Sequence, residues 1–471
     1  MGNLFQNTFY SALTQSWQML MAIVLFKVAT VGLGQKGFGQ YALATSIMYF
    51  VFLFNDFGLN TFLTKEIARE KTSGERYLRY GMGLKFLFIM PAVTFLFFYL
   101  WLTHYDSTTD YVILIFSLYG LLTSFIQLTY GIFRAYERMQ YETWVAMTEK
   151  TLITGFCILS LWLWKEIVPF SFSFVISGIV SLTLGLSLVR KRFVPVSWAW
   201  DKKWHWSLFR GAFPFGLSLF LTSIYDKVAI LMLSWFQNLE AVGLFSAGQK
   251  LLSFTNLIPM AFATAFFPRF SAVSSDRKEL SRVFTLGFKT LLMLAIPLIV
   301  GVFLLSDRLI VFFSDASFVE AGKVIRILSL TAGILFPSLF LASLCGATGH
   351  QHTLLGIQSV GLLCNVIANW LLIPKYSFLG ASWGTVITET LVFLLTFGFA
   401  LKRIVFITEI GYLLKILFST ALMAIGLYFT GPIPVLLAVF LGILIYGMGL
   451  LLTQAVTLSQ IKEVLSRLKL K

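Results

Sequence analysis

Two opposite charges stand side by side, Asp226 and Lys227, within an otherwise apolar run from residue 207 to residue 235. A second polar pair, Gln249 and Lys250, lies near the start of the next apolar run. A charge at the centre of a bilayer costs about 2.5 to 3.5 kcal/mol on insertion scales, so residues of this kind usually serve a function. The alternative is that Asp226 and Lys227 neutralise each other or snorkel towards the membrane surface.

Bases outnumber acids among the polar residues inside the apolar runs. An apolar-walled cavity lined by bases would attract a phosphate or pyrophosphate group, because a low dielectric strengthens the attraction. The candidate cations for such a cavity are Lys27, Arg134, Lys150, Arg210, Lys227 and Lys250. For Arg134, Lys150 and Arg210, anchoring at the cytoplasmic edge of a membrane is an equally good explanation.

Carboxylates inside apolar runs are candidates for coupling transport to an ion, because burial disfavours the charged form and allows proton exchange or cation binding. The three candidates are Asp56, Asp226 and Glu389. Glu389 lies near the middle of its apolar run, with only Thr388 and Thr390 beside it. For Asp56 the alternative is a helix cap or an ion pair with Lys65.

Further polar residues at membrane depth include Glu149, Asn365 and Asn369. The two asparagines are four residues apart, so they share one face of a helix. Amides in that arrangement can join two membrane helices by hydrogen bonds, which is the alternative to a ligand-binding role.

The composition is that of a membrane protein with many spans. The chain has 471 residues, of which 58% are hydrophobic and 12% are charged, and its mean hydropathy is +0.84. A soluble domain carries about 25% charged residues. The net charge of +15 needs no nucleic-acid partner, because cytoplasmic loops of membrane proteins accumulate Lys and Arg.

The residue types of common enzyme sites are not arranged for catalysis. The chain has no Gly-rich phosphate loop ending in GK[ST], so ATP hydrolysis is not expected. Its four histidines fall in or near predicted loops, and its three cysteines share no metal-like spacing, so neither a metal nor another cofactor is expected. The predicted external loops are too short for an extracytoplasmic catalytic domain.

Apolar runs of about 20 residues, enough for one membrane crossing, recur along the whole chain. They predict an all-α protein with about fourteen transmembrane helices, near residues 8–31, 38–63, 82–103, 111–133, 145–164, 170–189, 207–235, 242–267, 283–305, 324–345, 353–373, 381–401, 412–430 and 434–454.

The distribution of bases predicts the orientation of these helices. The segment 65–85 holds six bases and the segment 104–110 holds none, so we expect the first to be cytoplasmic and the second external. The alternation that follows places both termini in the cytoplasm. The tail 458–471 has an apolar helical face and several bases, so we expect it to lie on the inner leaflet.

A weak internal repeat divides the chain. GQYALA at 39–44 matches GLFSAG at 243–248 at an offset of 204 residues. We therefore predict an N-terminal six-helix lobe with its cytoplasmic linker at 1–206 and a second six-helix lobe at 207–403. Residues 404–471 would add two helices and the amphipathic tail. Two lobes in the same orientation would suit a central cavity between them.

A series of short motifs extends over nearly the whole chain. They are DFGL at 56–59, KEIAR at 65–69, FRA at 133–135, ERM at 137–139, YDK at 225–227, VGLFSAGQK at 242–250, PRFS at 268–271 and GASWGT at 380–385. Their order and spacing resemble the polysaccharide transporter family, of the O-antigen flippase type. That family belongs to the multidrug/oligosaccharidyl-lipid/polysaccharide (MOP) flippase superfamily.

The resemblance implies two six-helix lobes in a V shape, as in multidrug and toxic compound extrusion (MATE) transporters, plus two peripheral helices. Similar proteins move undecaprenyl-pyrophosphate-linked oligosaccharide, such as O-antigen for lipopolysaccharide, across the cytoplasmic (inner) membrane by alternating access. A proton or sodium gradient would drive the exchange. The assignment of coupling to Asp226 or Glu389 is our inference from the residues.

The resemblance also sets the expected partners and the alternatives. We expect membrane lipids, the glycan lipid and polysaccharide polymerase or assembly proteins as partners, and a monomer. One alternative function is a MATE-like antiporter of drugs or cations, although a cavity richer in bases than acids argues against it. Another, of a different class, is a membrane polysaccharide polymerase or ligase.

Overall fold

The computed structural model describes residues 2–406, 411–431 and 433–456. These residues form helices and connecting turns, without strands. The helices are α1 (Gly2–Asp56), α2 (Leu59–Arg69), α3 (Gly74–Thr103), α4 (Ser107–Ala135), α5 (Met139–Leu163), α6 (Ile167–Arg192), α7 (Lys202–Phe236), α8 (Leu239–Ser253), α9 (Leu257–Ala272), α10 (Arg277–Phe313), α11 (Ala321–Ala347), α12 (Gln351–Arg403), α13 (Tyr412–Phe429) and α14 (Val435–Leu452).

The all-helical prediction is confirmed, and the number of spans is close to the predicted one. Within the described residues, twelve helical stretches are long and apolar enough to cross a membrane, with α8 and α9 running on as one. Two of these stretches contain a residue with left-handed backbone, Gly34 in α1 (φ 66°) and Ser377 in α12 (φ 51°). Each break divides one long helix into two, which accounts for about fourteen segments.

The chain forms two compact units, residues 1–243 and 244–471, the second being described as far as residue 456. In the first unit, α4 packs on α1 and α6, and α5 packs on the same two helices. Aromatic rings fill the space between them: Tyr41 meets Phe170 edge-on at 5.5 Å, and Phe116 lies 4.8 Å from Phe174. These helices are therefore held together by tight aromatic packing.

The second unit is organised around α11, which packs on α9, α10 and α12. Phe340 of α11 lies 5.2 Å from Phe270 and 5.7 Å from Phe284, and all three rings are fully buried. Helices α13 and α14 pack on each other and on α10, where the Tyr446 hydroxyl donates to the carbonyl of Met293 at 2.7 Å.

Helix α7 packs within the first unit, against α1, α2 and α3. The predicted second lobe, 207–403, included this helix. The ranges 1–206, 207–403 and 404–471 follow from a relation between sequences rather than from packing, and they stay a prediction. The predicted surface helix at 458–471 lies outside the described residues.

The two glycines that align in the sequence repeat lie in contact inside the first unit. A Cβ built on Gly39 would lie 3.0 Å from the Gly243 nitrogen and would collide with the Leu239 carbonyl. A Cβ on Gly243 would collide in turn with the Gln35 carbonyl. Small residues at such positions let helix backbones approach closely, so both repeats use their glycine for packing.

Candidate functional site

A fully buried ion pair joins three helices of the first unit. Lys85 Nζ of α3 lies 2.8 Å from Asp56 Oδ1 at the end of α1, and the two side chains are 0% and 3% exposed. Lys85 Nζ also donates to Ser124 Oγ of α4 at 2.5 Å. Burying two charges is tolerated only when they are paired and hydrogen-bonded, and both conditions are met here.

This pair corrects one expectation. Lys65, the predicted partner of Asp56, instead lies 3.4 Å from Glu66 with half of its side chain exposed. Lys85, one of the six bases of the segment 65–85, lies in α3, which agrees with the predicted helix 82–103, and its side chain is fully buried. Asp56 Oδ1 also accepts the backbone amide of Asn60 in the first turn of α2 at 3.3 Å, although the N-cap residue of that helix is Gly58.

A break between α1 and α2 places the Asp56 carboxylate. Phe57 and Gly58 both have left-handed backbone, with φ of 38° and 79°. Gly58 lies directly against the backbone of α7, where a Cβ would collide with the Gly216 nitrogen. α7 contains Pro214 close to this contact. A residue with a side chain would be strained at Gly58 both by its φ and by this neighbour.

A second buried carboxylate, Glu149 of α5, is held by tyrosines of α4. The Tyr119 hydroxyl donates to Glu149 Oε1 at 2.5 Å and the Tyr130 hydroxyl donates to Oε2 at 3.4 Å. Lys150 Nζ lies 3.8 Å away with about a third of its side chain exposed. The sequence predicts no role for Glu149, because Tyr119 and Tyr130 lie 30 and 19 residues away from it along the chain.

The charged neighbours Asp226 and Lys227 on α7 differ in exposure. Lys227 is half-buried, and its Nζ lies 5.9 Å from the centre of the Tyr49 ring of α1. Asp226 is exposed. Adjacent residues of a helix do not face each other, which explains why the two side chains have different surroundings. A lysine over an aromatic ring gains a cation–π attraction of about 0.5 to 2 kcal/mol.

The other predicted cations of the first unit have separate environments. Arg134 makes a two-pronged contact with Glu142, with Nε and Nη2 donating at 2.8 and 2.5 Å. Lys27 and Arg210 are exposed on α1 and α7. Because Arg134 is bound to a carboxylate at the end of its helix, its contacts fit the anchoring explanation better than a free phosphate site.

In the second unit, Lys250 is exposed on α8 and Glu389 is half-buried on α12. Asn369 Nδ2 donates to Asn365 Oδ1 at 2.9 Å, and Asn365 Nδ2 donates to Thr388 Oγ1 at 3.4 Å. The asparagines precede the break at Ser377 and the threonine follows it. The amides therefore join the two segments of α12 by hydrogen bonds. These contacts fit the alternative of joining helices better than a ligand-binding role.

Comparisons with known proteins agree with the fold described above. The family described as "Polysaccharide biosynthesis protein" matches residues 4–274, and the family MatE matches residues 214–371. The chain is 23% identical to the capsular polysaccharide biosynthesis protein CapF of Staphylococcus aureus over 406 residues, which cover 82% of this chain and 95% of the relative.

Two further similarities concern proteins described as flippases. The chain is 23% identical to the probable flippase AglR of Haloferax volcanii, in a match that covers 51% of this chain and 53% of the relative. The structure is similar to the inward closed conformation of the lipid II flippase MurJ, with a TM-score of 0.75 and 18% identity. That similarity covers 94% of this chain and 98% of MurJ, and it shows a shared fold.

Proposed function

Because the chain belongs to the polysaccharide biosynthesis protein family, we propose that it is a flippase for a lipid-linked oligosaccharide. The observation that carries this proposal is the family match over more than half of the chain, in a multi-pass helical membrane protein. The fold shared with a lipid II flippase and the relatives named for polysaccharide biosynthesis and for flipping support it. Its activity would be transport, with the substrate left chemically unchanged.

The cargo would be a polyprenyl-pyrophosphate glycan, and the protein would reside in the cytoplasmic membrane with both termini in the cytoplasm. Half-buried Lys227 supports an anionic cargo, because a lysine away from bulk water attracts phosphate strongly. Lys27 and Lys250, which are exposed on α1 and α8, would meet the cargo at other stages of the movement. The carried glycan could be an O-antigen or another polysaccharide repeat unit.

Transport would be coupled to a proton or sodium gradient through Asp226 or Glu389. Asp56 differs from these two because its carboxylate is bound by the buried ammonium of Lys85 at 2.8 Å. Releasing that carboxylate to an ion would leave Lys85 buried and uncompensated. Asp56 is therefore better suited to hold the junction of α1 and α2 than to exchange an ion in each cycle.

The match of residues 214–371 to MatE favours a second candidate, an antiporter of organic cations. If this chain were such an antiporter, transport would depend on the exposed carboxylate of Asp226 and would not change when Lys227 is replaced. A polymerase or ligase acting on the same lipid is the candidate of a different class, and it would change the glycan chain.

The deciding experiment is translocation in reconstituted vesicles. A fluorescent polyprenyl-pyrophosphate glycan should cross between leaflets faster with the protein than in empty vesicles, under an imposed proton or sodium gradient. Equal rates would refute the flippase. Mass spectrometry of the recovered lipid separates transport from polymerisation, and uptake of an organic cation tests the antiporter.

A further inference from the structure

We propose that an aromatic groove on the first unit holds the isoprenoid chain next to the pyrophosphate of the cargo lipid, with Lys227 binding the phosphate. The inference rests on the proposed function and assigns a binding site to it. The groove lies between α1, α3 and α7 and has a volume of about 230 Å³. All of its lining side chains are aromatic or leucine.

The base of the groove is made by rings that interlock across the three helices. Phe54 of α1 lies 4.9 Å from Phe95 of α3 and 5.8 Å from Phe220 of α7. Its rim is open, since Phe98 and Leu102 of α3 and Trp235 of α7 are each about half exposed. An isoprenoid chain can therefore enter the groove from the side, where these membrane-crossing helices meet lipid.

Polar contacts brace one end of the groove. The hydroxyls of Tyr99 and Tyr105 lie 3.1 Å apart, and the Tyr105 hydroxyl lies 2.8 Å from Ser234 Oγ. The rings of Tyr99 and Trp235 stack at 6.4 Å. These contacts join α3, the loop after it and α7, and they hold Tyr99 and Trp235 in place at this end of the groove.

Lys227 does not itself line the groove, but it lies on the same side of α7 as two residues that do. On α7 it lies seven residues after Phe220 and four before Leu231, both of which line the groove, so the three residues share a helix face. The rise of a helix places Lys227 about 10 Å from the level of Phe220 and about 6 Å from that of Leu231. Its Nζ is held over Tyr49 of the neighbouring helix α1.

The apolar groove, together with Lys227 on the same side of α7, complements an isoprenoid phosphate. The branched, unsaturated chain offers methyl groups and double bonds that pack against aromatic rings, and a compact ammonium binds phosphate as a point charge. Ordinary membrane lipids place their phosphate at the membrane surface, whereas Lys227 lies well inside α7. A carrier whose phosphate must cross the membrane interior is the lipid that needs both features at this depth.

The experiment is photo-crosslinking of the full-length protein with farnesyl pyrophosphate carrying a diazirine on its chain. The label should map to peptides containing Phe54, Phe95 or Phe220, and unlabelled undecaprenyl pyrophosphate should displace it. Excess phosphatidylglycerol should not. Equal displacement by phosphatidylglycerol would mean that only bulk lipid occupies the groove and would overturn the proposal, as would labelling confined to other helices.

Variants separate the chain from the phosphate. Phe95→Ala should reduce labelling by about tenfold or more, because it removes a partly buried ring that packs against Phe54 at the base of the groove. The milder Phe95→Leu should have an intermediate effect, while Trp162→Ala, at an exposed ring of α5, should have none. Lys227→Ala should weaken labelling by the pyrophosphate probe but not by a diazirine farnesol. Loss with both probes, or with neither, would overturn the role of Lys227.

The same variants in the vesicle assay keep the two proposals apart. Translocation by the wild type with labelling elsewhere would refute the groove and leave the flippase standing. Groove labelling that undecaprenyl pyrophosphate displaces, without translocation, would support the binding site and refute the flippase.

Discussion

Lys85 and Asp56 form an ion pair of 2.8 Å in which neither side chain has appreciable contact with solvent. Twenty-nine residues separate them in the chain, and the pair ties α3 to the end of α1. Through Ser124 and the Asn60 amide it also reaches α4 and α2. Four helices of the first unit therefore meet at one buried charge pair.

Removing one charge of this pair should strongly destabilise the protein. Lys85→Met leaves the Asp56 carboxylate buried without its cation, so we expect a loss of about 3 to 5 kcal/mol in stability. The double variant Asp56→Asn, Lys85→Met removes both charges and should recover part of that loss. Thermal unfolding of the purified protein in detergent measures both. If the stability losses of Lys85→Met and Asp56→Asn simply add up to the loss of the double variant, the two charges are not coupled.

Gly58→Ala should destabilise the junction of α1 and α2. Left-handed backbone destabilises an alanine by about 1 to 2 kcal/mol relative to glycine. Its Cβ would in addition collide with the backbone of α7. Gly155→Ala is the matched control, because nothing lies near a Cβ at that position of α5 and alanine favours a helix. The melting temperatures of the two variants give the comparison. A Gly58→Ala protein as stable as the Gly155→Ala protein would contradict the strain argument.

Tyr119→Phe should cost about 1.5 to 3 kcal/mol in stability, because it removes a buried hydrogen bond to a carboxylate. Tyr130→Phe should cost less, since its hydroxyl is 3.4 Å from Glu149. Tyr428→Phe, at an exposed ring of α13, is the control and should be neutral. Chemical unfolding followed by tryptophan fluorescence provides the measurement. Equal stability of all three variants would show that Glu149 does not depend on its tyrosines.

Lys227→Ala should slow translocation of the pyrophosphate glycan by about tenfold or more, which corresponds to a loss of at least about 1.4 kcal/mol of interaction. The amount of protein in the membrane should be unchanged. Lys227→Arg should retain part of the rate, and Lys402→Ala, at the exposed end of α12, should behave like the wild type. The measurement is the initial rate of glycan-lipid translocation in proteoliposomes for each variant. An unchanged rate in Lys227→Ala would remove this lysine from the transport path.

The class of fold could be read directly from the chain. Apolar runs long enough to cross a membrane show where the helices lie, because in lipid each backbone polar group must be satisfied within its own segment. The family motifs and the repeat of Gly39 and Gly243 were likewise visible in the residues. These features depend on neighbours in sequence, so local patterns suffice to predict them.

The partners of the buried charges could not be read in this way. In the sequence, Lys85 is the last of six bases in the segment 65–85, and Lys65 is the base nearest to Asp56 along the chain. Packing of α1, α3 and α4 brings Lys85 to Asp56, and packing of α4 on α5 brings Tyr119 to Glu149. The aromatic groove likewise combines side chains from three helices. Such sites arise where distant segments meet, because the cost of burying a charge is met by whichever partner the fold places beside it.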